Sequence, residues 1–264
     1  FYAHHPPGCG LFLGGVFSVT GSNRPQVVRG VAIAATLATL VLAWSIVRRE
    51  EGPEAALIAA FVFAVIPQAA FYGRMVNHEV LALPFIVLLV DRYFALARGG
   101  GLRAGVGLVA AATVGALIAW VTFFALAVCA VHAALSRRRR ETFPAAGPAL
   151  VLLLTPGVSL FACDIAHIAG LTGGDLTDLA AIFSSRVGAG QTYGPFEWTH
   201  KMLGFSRRLA TASGTFALIW LAIRCVRALF RKATLKPVEE FAAVFLGAGV
   251  GYLAVFNWGA WQHH

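Results

Sequence analysis

Eight apolar runs of sixteen residues or more, separated by polar breaks, restrict the fold of this chain more than any other feature. A helix needs about 17–25 such residues to cross a bilayer. Lipid offers the backbone no hydrogen-bond partners, so a spanning run of this kind must be helical. The runs are Val28–Val47, Ala55–Tyr72, Val80–Leu96, Ala104–Ala119, Trp120–Leu135, Ala146–Cys163, Leu209–Leu229 and Val238–Phe256. Leu11–Val19 is too short to span and reads as an interfacial or re-entrant helix. The expected fold class is therefore all-α: a polytopic transmembrane helical bundle of about eight spans plus one interfacial helix, one domain over residues 1–264. The 12% content of charged residues fits this, since a soluble domain carries roughly a quarter.

The net charge of +9 resembles a nucleic-acid signal until the basic residues are placed. They fall at the ends of apolar runs, where they orient helices in a membrane. They do not interleave with aromatics as a nucleic-acid groove would require. Arg48, Arg49, Arg92, Arg98, Arg103, Arg137 to Arg140, Arg224, Arg227, Arg231, Lys232 and Lys236 all belong to one predicted side, the cytoplasm. That is 14 of the 21 basic residues. Of the other seven, Arg186, Lys201, Arg207 and Arg208 lie in or beside one long loop, where charge affects orientation least. The stretch from Ala104 to Leu135 has basic clusters at both ends and must cross an even number of times. As one helix it would measure roughly 48 Å against a core of about 30 Å. Two short helices with a turn near Trp120-Val121-Thr122 satisfy both demands, each about 24 Å long and so requiring local thinning or a re-entrant hairpin.

This parity places three polar, aromatic clusters on the extracytoplasmic face. They are Tyr2–Gly8, Phe71–Glu79 and Trp258–His264, joined there by the long polar segment 164–208. Charged groups beside lipid are costly, so Arg74, His78 and Glu79 in one hairpin suggest a site. Glu79 falls in the first turn of the helix expected from Val80, where the amide dipole stabilises a carboxylate. A plain helix-end charge and interfacial anchor is the competing reading. Arg and Glu five residues apart across a hairpin would otherwise pair a phosphate binder with an acid. Pro6 and Pro7 fix the backbone beside His5 and remove two donors, either as a rigid loop or as one wall of a site. Arg29 opens a span and could snorkel to the headgroups. Arg186, His200, Lys201, Arg207 and Arg208 suit lipid phosphates. Asp164 and His167 follow the outer end of a span and could line a cavity. Asp91 beside Arg92 suits an ion pair, and His132 a satisfied interior histidine. Asp175 and Asp178 could cap a short helix over Leu179–Ser185. The four cysteines show no metal-ligand spacing. Cys129 and Cys225 read as apolar fillers, while Cys9 and Cys163 lie near the outer surface with no pairing required.

In order and spacing these features resemble the GT-C glycosyltransferases of the Rgt-like and protein O-mannosyltransferase-like group, related to aminoarabinose transferases. The similarity is carried by His5-Pro6-Pro7-Gly8, by a short apolar helix ending Thr20-Gly21-Ser22, and by Val28-Arg29 at the start of a span. Arg74-Met75-Val76-Asn77-His78-Glu79 is similar to the family's R-x-x-x-x-D/E hairpin. Trp261-Gln262-His263-His264 resembles the start of its H-x-Y-type motif. Gly8 stands where the family more commonly has Leu. The resemblance implies a multi-pass enzyme of the cytoplasmic (inner) membrane, acting in the cell envelope with an extracytoplasmic active site. The expected reaction moves a sugar from a polyprenyl-phosphate-linked donor to a lipid, glycan or protein acceptor, with inversion. It implies Glu79 as assisting acid, with the main Asp or Glu upstream of Phe1, so that the chain reads as an internal fragment. His5 would shape the acceptor side. Arg74, His78, Arg29, Pro6, Pro7, Arg186 and His263 would bind substrates. A divalent metal on Glu79 is the one cofactor this reading admits; membrane lipids are partners and nucleic acid is not.

Two readings from other classes compete. Transporters and flippases carry charged or helix-breaking residues at mid-bilayer; here the polar residues gather at one face, and Pro84, Pro148 and Pro156 are the notable mid-span breakers. A non-catalytic membrane subunit is the third reading. No G-x-S-x-G, P-loop, H-E-x-x-H or C-x-x-C motif occurs.

Overall fold

A computed structural model of the chain describes residues 6–65, 73–137, 141–177, 212–229 and 235–255. Every regular element among them is a helix. They are α1 (Gly8–Thr20), α2 (Pro25–Glu51), α3 (Pro53–Val65), α4 (His78–Ala97), α5 (Gly101–Ile118), α6 (Val121–Ser136), α7 (Ala146–Leu171), α8 (Ala212–Leu229) and α9 (Pro237–Val255). The described part of each expected run falls on one of them, while residues 66–72, 209–211 and 256 of those runs lie outside the described residues. Four of the described helices, α2, α4, α5 and α7, are long and apolar enough to cross a membrane, while α1, α3 and α6 are shorter apolar helices.

The expected turn inside the Ala104–Leu135 run is present. Ala119 leaves the helical region at φ −152° and ψ 140°, and Trp120 opens α6. The expected end of the sixth run at Cys163 needs correction. Ile165, Ala166, Ile168, Ala169 and Leu171 continue the apolar helical pattern, and nothing turns the chain before Gly173 and Gly174, which have φ of 66° and 90°. Asp164 and His167 are therefore helical, and the polar segment begins after Leu171 rather than at Asp164. Beyond that end, Asp175 Oδ1 accepts the Thr177 N–H at 2.8 Å; the short helix expected over 179–185 lies outside the described residues.

The bundle is organised around α4, which touches α2, α5, α6, α7 and α9. Two-thirds of its apolar stretch (67%) is buried, against 17% for α2 and α7. A helix apolar all round is stable only when surrounded; α2 and α7 instead keep wide apolar faces outward, as lipid permits. The core joins Leu81, Leu89 and Tyr93 of α4 to Leu108 of α5, Cys129 of α6 and Leu153 of α7.

One end of the bundle is basic and tightly paired. Asp91, only 4% exposed, takes Arg49 at 2.6 Å and Arg92 at 2.8 Å. Glu50 meets Arg49 at 3.1 Å and Arg98 at 3.6 Å, and Lys236 reaches Glu51 at 3.5 Å. The expected Asp91–Arg92 pair is thus part of a wider network. Just inside it, the Tyr93 hydroxyl lies 2.6 Å from His132 Nδ1, the satisfied interior histidine that was expected. All four cysteines are free, with Cys129 buried and Cys163 exposed.

The opposite end carries the start of α4 and the break between α5 and α6. Here α2 overhangs its neighbours. The Thr36 hydroxyl donates to the Gly73 carbonyl at 3.0 Å, sharing its proton with Ala32. Thr36 is eleven residues into α2, so about 16 Å of that helix continues past the hairpin.

Candidate functional site: the proline hairpin end

Two prolines open α1. Neither has an N–H, so the first turn loses no donor, and Leu11 N–H bonds back to the Pro7 carbonyl at 3.0 Å. Pro6 is buried. Gly8 follows because α5 ends against it: an ideal Cβ there would sit 2.5 Å from the Leu117 carbonyl oxygen and 2.7 Å from its carbon. The Pro-Pro-Gly start of α1 is thereby seated on the last turn of α5. Most of α1 faces outward, with Leu11 73% and Val19 88% exposed, as an interfacial helix requires.

Cys9, one residue on, faces inward toward the start of α4. Burial raises its thiol above the ordinary range, and the Glu79 carboxylate nearby raises it further. Cys9 belongs to the same core cluster as Leu81, so the start of α1 and the start of α4, seventy residues apart in sequence, lie at one end of the bundle. Glu79 sits in the first turn of α4, as expected, because Asn77 caps that helix: its Oδ1 accepts the Val80 N–H at 2.7 Å. His78 and Glu79 are half-buried, and Arg74 is exposed. The hairpin is held by the Gly73–Thr36 bond. Arg29 lies seven residues before Thr36, on the same face of α2 and about 10 Å farther out, so it overhangs the hairpin.

The structure thus places Pro6, Pro7, Arg74, His78, Glu79 and Arg29 at one end of the bundle. His5, Arg186 and His263 lie outside the described residues. Sequence reading passed over Thr36 and the capping role of Asn77. Asn77 carried a signal, a capping residue directly before His78-Glu79. Thr36 carried only that of a hydroxyl in an apolar run. Among the described residues no three His, Cys, Asp or Glu side chains converge as a metal site would need.

The family model described as dolichyl-phosphate-mannose-protein mannosyltransferase matches residues 4–162, well over half of the 264. The chain belongs to that family. The matched stretch takes in the proline segment, the hairpin and the helices that bring them together, and it ends within α7. Membership makes the chain a membrane glycosyltransferase that works with a lipid-linked sugar donor, in agreement with its apolar helices. No curated protein and no solved structure matches it significantly.

Proposed function

We propose that this member of the mannosyltransferase family moves a sugar from a polyprenyl-phosphate donor to an acceptor hydroxyl at the extracytoplasmic face, with inversion at the anomeric carbon. The acceptor oxygen attacks that carbon, its bond to the phosphate oxygen breaks, and polyprenyl phosphate leaves as an anion. The acceptor proton passes to a carboxylate base. The observation carrying this reading is that the starts of α1 and α4 lie at one end of the bundle, with Cys9 and Leu81 in one core cluster, within a family match that spans both.

In this reading Arg74 stabilises the charge gathering on the leaving phosphate, with Arg29 and Arg186 as further cations. Glu79 assists as an acid or holds a divalent metal, and the main base lies elsewhere in the protein. His5 shapes the acceptor side, while His78, Pro6, Pro7 and His263 line the donor and acceptor positions. The basic end faces the cytoplasm and eight crossings of the inner membrane place the corner outside, which the clustering of arginines at one end supports.

The test is transfer from radiolabelled polyprenyl-phosphate mannose in membranes containing the complete protein, with the product's anomeric configuration read by NMR. Glu79→Gln should lower kcat by at least 100-fold while leaving insertion intact, a loss within the span of general acid–base catalysis, roughly 10²–10⁴. Near-normal turnover in that variant would remove Glu79 from the site.

A further inference from the structure

Three buried side-chain atoms lack a hydrogen-bond partner among the described residues: Arg92 Nε, Thr122 Oγ1 and Asp164 Oδ2. Arg92 already pairs with Asp91 through Nη2. The other two belong to the hairpin end, Thr122 in the first turn of α6 and Asp164 in the outer part of α7. Asp164 is only 2% exposed. A buried carboxylate oxygen with no donor is unfavourable, and such a group calls for an explanation.

Its height can be measured from within the chain. Ala145 N–H donates to the Ala97 carbonyl at 3.0 Å, which fixes the start of α7 level with the end of α4. His78 and Asp164 each lie nineteen residues from that tie along their own helices, so both stand about 28 Å from it. The unpaired carboxylate therefore shares the depth of the His78–Glu79 corner, on a helix that touches α4, α5 and α6.

The surroundings indicate the ligand class. Phe161 lies one turn before Asp164 on the same face of α7. Its ring sits 5.9 Å from Trp120 and 5.5 Å from Phe123, and those two rings are 5.7 Å apart. Aromatic faces beside a single hydrogen-bonding group suit a ligand with apolar C–H faces and hydroxyl edges, as a sugar ring has. No cluster of three metal-ligating side chains forms among the described residues, so a lone carboxylate facing neutral hydroxyl donors fits better than a cation site. Asp164 Oδ2 is covered and has no hydrogen-bond partner among the described residues.

Resting on the transferase reading, we propose that Asp164 determines sugar specificity: its carboxylate accepts hydroxyl hydrogen bonds from a sugar ring held against Trp120 and Phe161. The sugar is that of the lipid donor or that of a glycan acceptor. The experiment uses the complete protein with Asp164→Asn and Asp164→Leu, and two probes, polyprenyl-phosphate mannose and a free manno-oligosaccharide. Asp164→Leu should raise the KM for the donor, or abolish oligosaccharide binding, by at least tenfold, with kcat within threefold. Asp164→Asn, which keeps one acceptor oxygen, should recover part of the loss. The melting temperature of both variants without ligand should equal or exceed that of the wild type, because an unpaired buried carboxylate has gone. Binding is read separately, as the rise in melting temperature caused by each probe. The probe that stabilises the wild type but not Asp164→Leu identifies which sugar is read. Such a difference in a protein that transfers nothing would sink the transferase reading and leave the carboxylate's role standing. Equal stabilisation of wild type and Asp164→Leu by both probes, or by neither, overturns the assignment. So does a lowered melting temperature with uniform loss of kcat, which marks a structural residue.

Discussion

An added methyl group at position 8 would meet the Leu117 carbonyl at 2.5 Å, and this contact is with backbone, which cannot rotate aside. Gly8→Ala should therefore destabilise by about 1–3 kcal/mol, the usual range for overpacking. Gly8→Leu, with the larger side chain, should be worse than Gly8→Ala. Thermal unfolding in detergent checks both, and a Leu variant as stable as the wild type would disprove the close approach. Asn77→Ala should cost about 1 kcal/mol through the lost cap on Val80. Single residues were legible in the sequence where their reason is local. Glu79 in a first turn and Asp91 beside Arg92 both follow from near neighbours. Gly8 and Thr36 were not, because their partners lie 109 and 37 residues away, and no pattern of short period encodes such a distance. Asp164 was noticed, but its burial depends on a helix that runs farther than its apolar stretch suggested.

At the scale of elements, charge and length together were enough to divide the Ala104–Leu135 run. Arginines at both ends require an even number of crossings, and the length permits two. The break at Ala119–Trp120 agrees. Composition could not show where α7 stops: small and apolar residues continue the helix to Leu171, and two left-handed glycines end it. The division carries a test of sidedness. Met75 and Leu102, 43% and 83% exposed, stand at opposite ends of the bundle. With Met75→Cys and Leu102→Cys in a protein lacking its own cysteines, an impermeant maleimide applied to intact cells should label position 75 and spare position 102. Labelling of both from outside, or of position 102 alone, would remove the proposed extracytoplasmic corner.

For the molecule as a whole, the basic end acts as a clasp joining α2, α4 and α9. Asp91 is its centre, held by Arg49 and Arg92. Removing one partner of an enclosed ion pair costs about 3–5 kcal/mol. Arg49 is 53% exposed, however, and solvent screens its share. Asp91→Asn should thus lower stability by about 1–2 kcal/mol without changing the donor KM, and a double-mutant cycle with Arg49→Gln should show coupling. If the two substitutions prove additive, the clasp is ornamental.

The overhang of α2 has a further consequence for this architecture. Because Gly73 docks beneath the first three turns of α2, the hairpin is sunk below the end of that helix, a position that the proposed sidedness would set near the phospholipid headgroups. A molecule moored by a long isoprenoid tail would present its phosphate at that level while still swimming in the leaflet. It could be met sideways, without being hoisted into water.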